Sequence, residues 1–162
     1  MKWLLIVIGV IVGIFVIVYL IGLSLPRNHS AQVREVIPAN IEKVWHRVTT
    51  VSEFASWRND MTTIEIGNDS QWVEVAGRMR IPMKITEREP MKRMVTVINS
   101  SDLPFGGEWV YVLQPQGDST VLTITEDGEV RAPVFRFVSA FVMGHTATLK
   151  KYMAALKQSL SK

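Results

Sequence analysis

The sequence predicts an α+β protein, in which an antiparallel sheet packs against one long C-terminal helix and a single transmembrane helix comes first. Three patterns lead to this fold class. The first 25 residues are almost uniformly apolar, the middle of the chain alternates between apolar and polar residues, and apolar residues recur at helical spacing from about Pro133 to Leu160. A chain of 162 residues is long enough for one domain and an anchor.

The run "WLLIVIGVIVGIFVIVYLIGLSL", from Trp3 to Leu25, contains no charged residue. As a helix it would extend about 35 Å, enough to cross the hydrocarbon core of a bilayer. The alternative is a cleaved signal peptide, whose apolar region usually has about 7–15 residues and ends at a small-residue cleavage site. Because "GLSLPRN" offers no such site, we expect residues 1–25 to be an uncleaved anchor, with residues 3–25 in the membrane.

Two features of the anchor bear on its partners and its orientation. Gly9 and Gly13 have the spacing that lets two membrane helices pack closely, so a weak homodimer is one interpretation, and chance is the other. Lys2 precedes the span, while Arg27 and Arg34 follow it. The positive-inside rule therefore leans slightly towards a cytoplasmic soluble domain.

Residues 26–29 form a short link with Pro26, and residues 30–162 form one globular unit. We expect strands at 30–37, 61–66, 71–76, 79–87, 92–99, 107–114 and 119–129, and short helical pieces at 40–48 and 51–57. Asn40 suits the N-cap of the first helical piece. Because six strands follow one another with short connections, the sequence predicts an antiparallel meander.

The terminal helix has a well-defined apolar face, on which the sheet should pack and next to which a cavity should open. The face comprises Val134, Val138, Phe141, Val142, Leu149, Tyr152, Met153, Leu156 and Leu160. His145 falls at its centre and Thr148 at its margin. Gly144 lowers helix propensity by about 1 kcal/mol relative to Ala, which indicates a close approach or a bend at mid-helix. His145 has three interpretations: a buried core residue, a polar contact to a ligand, or a general acid or base.

The strands and loops carry many aromatic and methionine side chains, which either fill the core or line an adaptable apolar pocket. The candidate ligand-binding residues are Trp57, Trp72, Met83, Phe105, Trp109, Tyr111, Phe141, His145, Thr148, Leu149 and Tyr152. Phe105 lies in "DLPFGGEW", which reads as a mobile loop at the cavity mouth or as a plain hairpin turn. Arg58 and Asp60 suit local capping, and strand alternation should turn most of the single glutamates, such as Glu74, outward.

Several classes of function are excluded or disfavoured by composition. The absence of cysteine rules out disulfides and thiol chemistry, and the three histidines have no ligand-like spacing, so we expect no metal and no cofactor. The net charge of +3 is small and scattered, which does not indicate nucleic-acid binding. No nucleophile elbow or phosphate loop is visible, and no catalytic residue is assigned.

Three phrases of the sequence resemble one superfamily. "VIPANIEKVWHRVTTVSEFASWRNDM" is similar to the opening of START-like (SRPBCC, polyketide cyclase/dehydrase) proteins, while "LPFGGEWVYVL" and "PVFRFVSAFVMGHTATLKKYMAAL" are similar to a bacterial branch that often carries one membrane span. The resemblance covers about residues 30–160. It implies the helix-grip fold, with a seven-stranded antiparallel sheet around the C-terminal helix, and a cavity that binds lipids or other apolar molecules.

We therefore expect a single-pass protein of the bacterial cytoplasmic membrane that binds a lipid-like ligand between the sheet and the C-terminal helix. One alternative is a cyclase or hydrolase of an apolar substrate that uses His145 with Tyr152 or a strand carboxylate; the sequence favours binding over catalysis. The other alternative is a protein-interaction module with a filled cavity and an exposed patch at Phe135, Phe137 and Met143.

Overall fold

The computed structural model describes residues 2–161, apart from the side chain of Met143. In residues 2–161, five α-helices and seven strands follow one another in the order apolar helix, strand, two short helices, six strands and C-terminal helices. The bounds are α1 Lys2–Ser24, β1 Asn28–Ile37, α2 Ile41–Thr49, α3 Phe54–Trp57, β2 Thr63–Asn68, β3 Gln71–Ala76, β4 Met79–Glu89, β5 Arg93–Ile98, β6 Phe105–Gln116, β7 Ser119–Val130, α4 Pro133–Val138 and α5 Ala147–Leu160. This confirms the predicted α+β class and the order of the elements.

Helix α1 is long and apolar enough to cross a membrane, and it is the one such helix in residues 2–161. Nearly all of its side chains are exposed on the protein. Gly22 is the exception, since it is buried against the start of α4. Gly9 and Gly13 have no atoms near the position of an added Cβ, so their side of α1 is open.

The seven strands form one antiparallel sheet in the order β1-β7-β6-β5-β4-β3-β2. Strands β2 to β7 are the predicted meander, in which each strand pairs with the next along the chain. Strand β1 instead pairs with β7, from Asn28 opposite Glu129 to Ile37 opposite Thr120. The chain must therefore cross from one edge of the sheet to the other between β1 and β2, and α2 and α3 make this crossing.

The crossing segment is fixed by a helix cap and by apolar packing. Asn40 adopts an extended conformation and its side-chain oxygen accepts a hydrogen bond from the Lys43 backbone N–H, which confirms the predicted N-cap. Val44 and Val48, one turn apart on α2, are fully buried, and Phe54 on α3 is 3% exposed. Because these residues are buried in the core, α2 and α3 close one end of the sheet.

Helix α5 packs against the concave face of the sheet. Its residues Leu149, Met153 and Leu156 are fully buried and Tyr152 is 4% exposed. They pack in the main core with residues of β1, β6 and β7. Lys157 on α5 also forms an ion pair with Glu35 on β1, which joins the last turns of the helix to the edge of the sheet.

The C-terminal helix is divided rather than continuous from Pro133 to Leu160. After α4, residues Ser139–Met143 form a π-helical turn that ends at Gly144, whose φ of 74° is a conformation that other residues rarely adopt. Helix α5 then starts in a new direction at Ala147. The single apolar face expected across this region therefore does not exist, because the break separates the residues before Gly144 from those after it.

Helix α5 should contribute strongly to stability through its buried face. We expect Leu156→Ala to lower the free energy of unfolding of the full chain in detergent micelles by about 2–5 kcal/mol, because it removes a fully buried side chain and leaves a cavity. Denaturant titration followed by circular dichroism measures this. Gln158→Ala, at an exposed position of the same helix, is the control and should change stability by less than about 0.5 kcal/mol. Equal losses in both variants would contradict the packing of α5 described here.

Candidate functional site

The concave face of the sheet is apolar on the side that α5 leaves uncovered. Strand pairing sets Trp72 opposite Met83, and Met83 opposite Ile98, so that these side chains share one face. We call the uncovered part of this face the trough. It is lined by Ile66, Met79, Ile81, Met83, Ile98 and Trp109. Ile66 is 55% exposed and Met79 is 38% exposed, and the other four are half-buried, so the trough is an apolar surface open to solvent.

The sequence predicted a cavity between the sheet and the C-terminal helix, but the space under α5 is filled with side chains. Within residues 2–161 the two best-formed depressions are both open to solvent. One, of about 240 Å³, lies at β2, β3 and β4 and is lined mainly by residues of the face opposite the trough, namely Glu65, Gly67, Gln71, Val73, Pro82 and Asn99. The other, of about 450 Å³, lies between the start of β1 and the end of β7, beside His29 and Gly128. The structure therefore offers an open trough in place of an enclosed cavity.

An aromatic cluster separates the trough from the core under α5. The ring of Tyr152 makes edge contacts with Trp57, Trp109 and Tyr111, at centroid distances of 5.3, 5.5 and 5.9 Å. These four residues come from α3, β6 and α5, so their meeting depends on the whole fold. Burial raises the pKa of the Tyr111 and Tyr152 hydroxyls, and both stay protonated near neutral pH.

A buried arginine lies beside this cluster. The Arg58 guanidinium is 6% exposed; it donates to Glu74 at 2.8 Å and to the two carboxylate oxygens of Asp60 at 3.3 and 3.0 Å. It also lies 5.4 Å from the centre of the Tyr152 ring. Burial disfavours the charge on Arg58, but the two carboxylates outweigh burial and raise its pKa. The Trp72 indole donates to the same Glu74 oxygen at 3.2 Å.

Three buried polar atoms have no hydrogen-bond partner in the described part of the chain: Trp57 Nε1, Glu126 Oε2 and the Tyr152 hydroxyl. The Tyr152 hydroxyl lies close enough to Tyr111 to affect its pKa, but the contact lacks hydrogen-bond geometry. Glu126 lies opposite Trp109 across the sheet, which places it on the concave face at the edge of the trough. Burial raises the pKa of its carboxyl. Buried polar groups normally find partners, so these three atoms are exceptions within the described residues.

A pair of histidines lies at the end of the concave face next to α1. The His145 and His29 rings stack at a centroid distance of 4.3 Å, and Ser139 Oγ lies 3.2 Å from His145 Nδ1. His29 Nε2 lies 3.7 Å from a Glu126 oxygen. Burial and the neighbouring His29 imidazole lower the pKa of His145, and burial lowers that of His29, so both rings are largely neutral at pH 7. Neutral imidazoles of this kind can accept a proton.

The segment "DLPFGGEW" is not a mobile loop. Phe105 is the first residue of β6, where it pairs with Val130, so of the two interpretations the structure agrees with a turn between β5 and β6 rather than a loop tip at Phe105. The Arg131 guanidinium holds the preceding residues, because its Nη1 lies 2.9–3.4 Å from the carbonyl oxygens of Leu103 and its neighbours Ser100, Ser101 and Phe105. The Arg131 backbone N–H also donates to Pro104 at 2.8 Å.

The structure brings some of the predicted site residues together and separates others. Trp57, Tyr111 and Trp109 surround Tyr152, with Leu149 buried nearby in the core, and Trp72 and Met83 meet at the end of the trough. Phe141 and His145, expected on the face that packs against the sheet, are exposed because the helix breaks at Gly144, while Thr148 is exposed at the margin of the buried face of α5.

Sequence reasoning missed the buried charges. Glu74 was expected to face outward with most single strand glutamates, but it is 6% exposed because Arg58 pairs with it inside the protein. Glu126 and His29 were not singled out at all. A signal was present for Glu74: it is two residues from Trp72 on the same strand and so shares its inward face. Nothing in the sequence marks Arg58 as its partner.

A model of the family described as "Polyketide cyclase / dehydrase and lipid transport" matches residues 28–161. The match covers the whole sheet together with both parts of the C-terminal helix. A search of the curated proteins found no match.

Solved structures share the fold at low sequence identity. A START superfamily protein from Mycobacterium smegmatis is 17% identical with a TM-score of 0.66, covering 82% of this chain and 97% of its own. A conserved protein from Geobacillus kaustophilus is 16% identical with a TM-score of 0.69, covering 82% and 95%. Norcoclaurine synthase from Thalictrum flavum, as a point mutant in complex with a transition-state analogue, is 12% identical with a TM-score of 0.66, covering 83% and 94%. These matches confirm the START-like fold.

The buried Glu126 carboxyl should make stability depend on pH. Its pKa in the folded protein lies above the ordinary value of 4.5, so ionisation costs the folded state more than the unfolded chain. This penalty is absent below pH 4.5 and grows as the pH rises through the folded pKa. We expect Glu126→Gln to raise the thermal unfolding midpoint at pH 8, and the gain to disappear towards pH 4. Glu108→Gln, on the opposite face of the same strand pair, controls for the lost charge. A gain that is independent of pH would contradict this account.

Proposed function

Because the chain belongs to the polyketide cyclase/dehydrase and lipid transport family, we propose that it is a membrane-anchored protein that binds a hydrophobic, lipid-like ligand in the trough. The observation that carries this proposal is the uncovered apolar concave face, with the unpartnered Glu126 oxygen at its edge. Such a surface suits a ligand with an apolar body and a few hydrogen-bonding groups.

The chemistry of the lining supports an adaptable site. Met79 and Met83 are flexible and polarisable, so the trough can adjust to apolar ligands of different shapes. The Glu126 carboxyl, whose pKa is raised by burial, lies at the edge of the trough and offers a polar contact there.

Within this proposal, the predicted residues take different parts. Met83 and Trp109 contact the ligand directly, and Trp72, Trp57 and Tyr152 pack behind them. Tyr111 and Leu149 form the packed floor. Phe105 lies at the start of β6, and His145 lies at the end of the face next to α1. Phe141 and Thr148 are exposed on the divided helix and take no part in the trough.

The anchor places this site beside a source of apolar ligands. We propose that α1 spans a bacterial cytoplasmic membrane once and that the basic residues Arg27 and Arg34 hold the domain on the cytoplasmic side. The open side of α1 at Gly9 and Gly13 leaves room for a weak homodimer through the membrane. A lipid drawn from the same bilayer would reach the trough over a short path.

Quenching of tryptophan fluorescence by a brominated fatty acid tests ligand binding. In the full chain with Trp3 and Trp45 replaced by Phe, we expect 9,10-dibromostearate to quench the emission that depends on Trp109, because bromine atoms in the trough would lie close to the indole. Met83→Glu should weaken binding at least about tenfold, which corresponds to roughly 1.4 kcal/mol, because it places a charge in the apolar lining.

The matched control is Met91→Glu, an exposed methionine in the turn between β4 and β5. This variant should bind the probe with unchanged affinity. Quenching that is equal in the Met83 and Met91 variants would mean that the probe binds elsewhere, and the trough would lose its assigned role.

Acid–base catalysis is a second candidate function, and the arrangement of His145 favours it. The ring is accessible, carries a pKa below its ordinary value and lies 3.2 Å from a serine hydroxyl. These are the features needed to deprotonate a hydroxyl group or a bound substrate. The Glu126 carboxylate partly offsets this lowering of the His145 pKa, because a nearby negative charge favours the protonated ring.

A chromogenic ester tests this second candidate. If His145 acts as a base, the full chain should hydrolyse p-nitrophenyl butyrate, and His145→Ala should reduce the rate by about 100-fold or more, the usual loss when a general base is removed. His46→Ala, at an exposed histidine on α2, is the control. A background rate shared by all three proteins would exclude esterase activity and leave ligand binding unaffected.

A further inference from the structure

The segment of residues 133–142, which contains α4 and most of the π-helical turn, carries an exposed apolar surface. Its sequence, "PVFRFVSAFV", has Arg136 as its one charged residue. Phe135 is 47% exposed, Phe141 63% and Val142 71%, and the Phe137 and Phe141 rings lie 5.0 Å apart. Large apolar side chains exposed side by side in this way mark a surface that contacts another apolar body.

This segment packs directly on the last turn of the anchor. Gly22 of α1 is buried against Pro133, and an added Cβ at Gly22 would overlap the Pro133 carbonyl group. Gly22 is two residues from the end of α1 at Ser24, which corresponds to about 3 Å along a helix axis. The 133–142 segment is therefore held at the depth where α1 ends.

Arg136 ties the two helices together. Its guanidinium is buried, and Nη1 lies 3.2 Å from the Gly22 carbonyl oxygen and 3.4 Å from that of Leu25. The last carbonyl groups of a helix lack partners within the helix and carry partial negative charge, so a cation there is favourable. The other nitrogens donate to the carbonyl groups of Val130 at 2.9 Å and Arg131 at 2.8 Å. One side chain thus connects α1, the end of β7 and α4.

We propose that the 133–142 segment is a second membrane contact, which lies along the interface of the same bilayer that α1 spans and buries Phe135, Phe141 and Val142 among the lipids. This inference rests on the anchor part of the proposed function. The bilayer is the occupant because the apolar surface is continuous with the apolar surface of α1 and is fixed at its end. An apolar helix beside a membrane span is typical of interfacial segments.

The second contact has a consequence for the trough. With α1 and the 133–142 segment both held, the domain cannot rotate freely about a single tether. Strand β1 begins at Asn28, four residues after α1, so this end of the sheet lies within about 14 Å of the end of the span. The end of the concave face that carries His29 and His145 is therefore directed towards the bilayer surface, and an apolar ligand can reach it with little exposure to water.

The absence of cysteine makes a direct test simple, because any introduced cysteine is unique. The full chain would be reconstituted in vesicles of phosphatidylcholine and phosphatidylglycerol, with a nitroxide attached at Val142→Cys. Collisions with oxygen, which concentrates in the bilayer, are compared with collisions with a water-soluble nickel chelate. We expect the oxygen-to-nickel ratio at residue 142 to be several-fold higher than at Asp118→Cys in an exposed turn. Ile14→Cys, within α1, reports on the anchor itself.

The possible outcomes distinguish the second membrane contact at residues 133–142 from the membrane anchor α1. A high ratio at residue 14 with a water-like ratio at residue 142 would overturn the second contact while the anchor stands. A water-like ratio at both positions would overturn the anchor and with it the second contact. Low collision rates with both reagents at residue 142 would indicate cover by protein, which also contradicts contact with lipid.

Two variants test how the segment is held. Gly22→Leu should shift the ratio at residue 142 towards the value at residue 118, because the larger side chain cannot pack against Pro133. Val12→Leu, at an exposed position of the same helix with no assigned contact, should leave the ratio unchanged. Arg136→Met should act like Gly22→Leu, which keeps the proposal testable if one variant fails to fold. Unchanged ratios in both Gly22→Leu and Arg136→Met would contradict the role assigned to the junction.

Discussion

The break at Gly144 is the constraint on which the arrangement of the C-terminal region depends. A continuous helix from Pro133 to Leu160 would be about 42 Å long and would follow a single direction. The positive φ of Gly144 instead divides the helix into a part that packs on the sheet and a part that packs on α1. His145, directly after this break, stacks on His29.

The buried charges limit what the interior can hold. Arg58 and Glu74 pair in a region that contains four aromatic rings, and a buried ion pair contributes little net stability because both charges are removed from water. Its cost is reduced by Asp60, Trp72 and the faces of two aromatic rings. These contacts hold Trp72 and Tyr152 in place beside the trough. The Arg58–Glu74 pair therefore fixes the aromatic side chains that lie behind the trough.

Most of the fold could be predicted from the sequence because local signals were strong and consistent. Asn40 marks a helix start by its own capping chemistry, and the turn residues between strands set the meander. The placement of Phe141 and His145 failed for a tertiary reason: a helical wheel assumes one axis, and residues 141 and 145 share a face with 152 only if Gly144 stays helical. The partners of Glu74 and Glu126 also depend on contacts distant in sequence, which no local pattern contains.

The central claim is that this chain carries a hydrophobic ligand on its concave face. Native mass spectrometry of the full chain, extracted from membranes in a mild detergent, tests it most directly. The account predicts one apolar molecule bound per chain, retained when detergent adducts are removed and lost when Met83 is replaced by Glu. A chain that carries no molecule besides detergent, or a molecule that stays bound in the Met83→Glu variant, would contradict the claim.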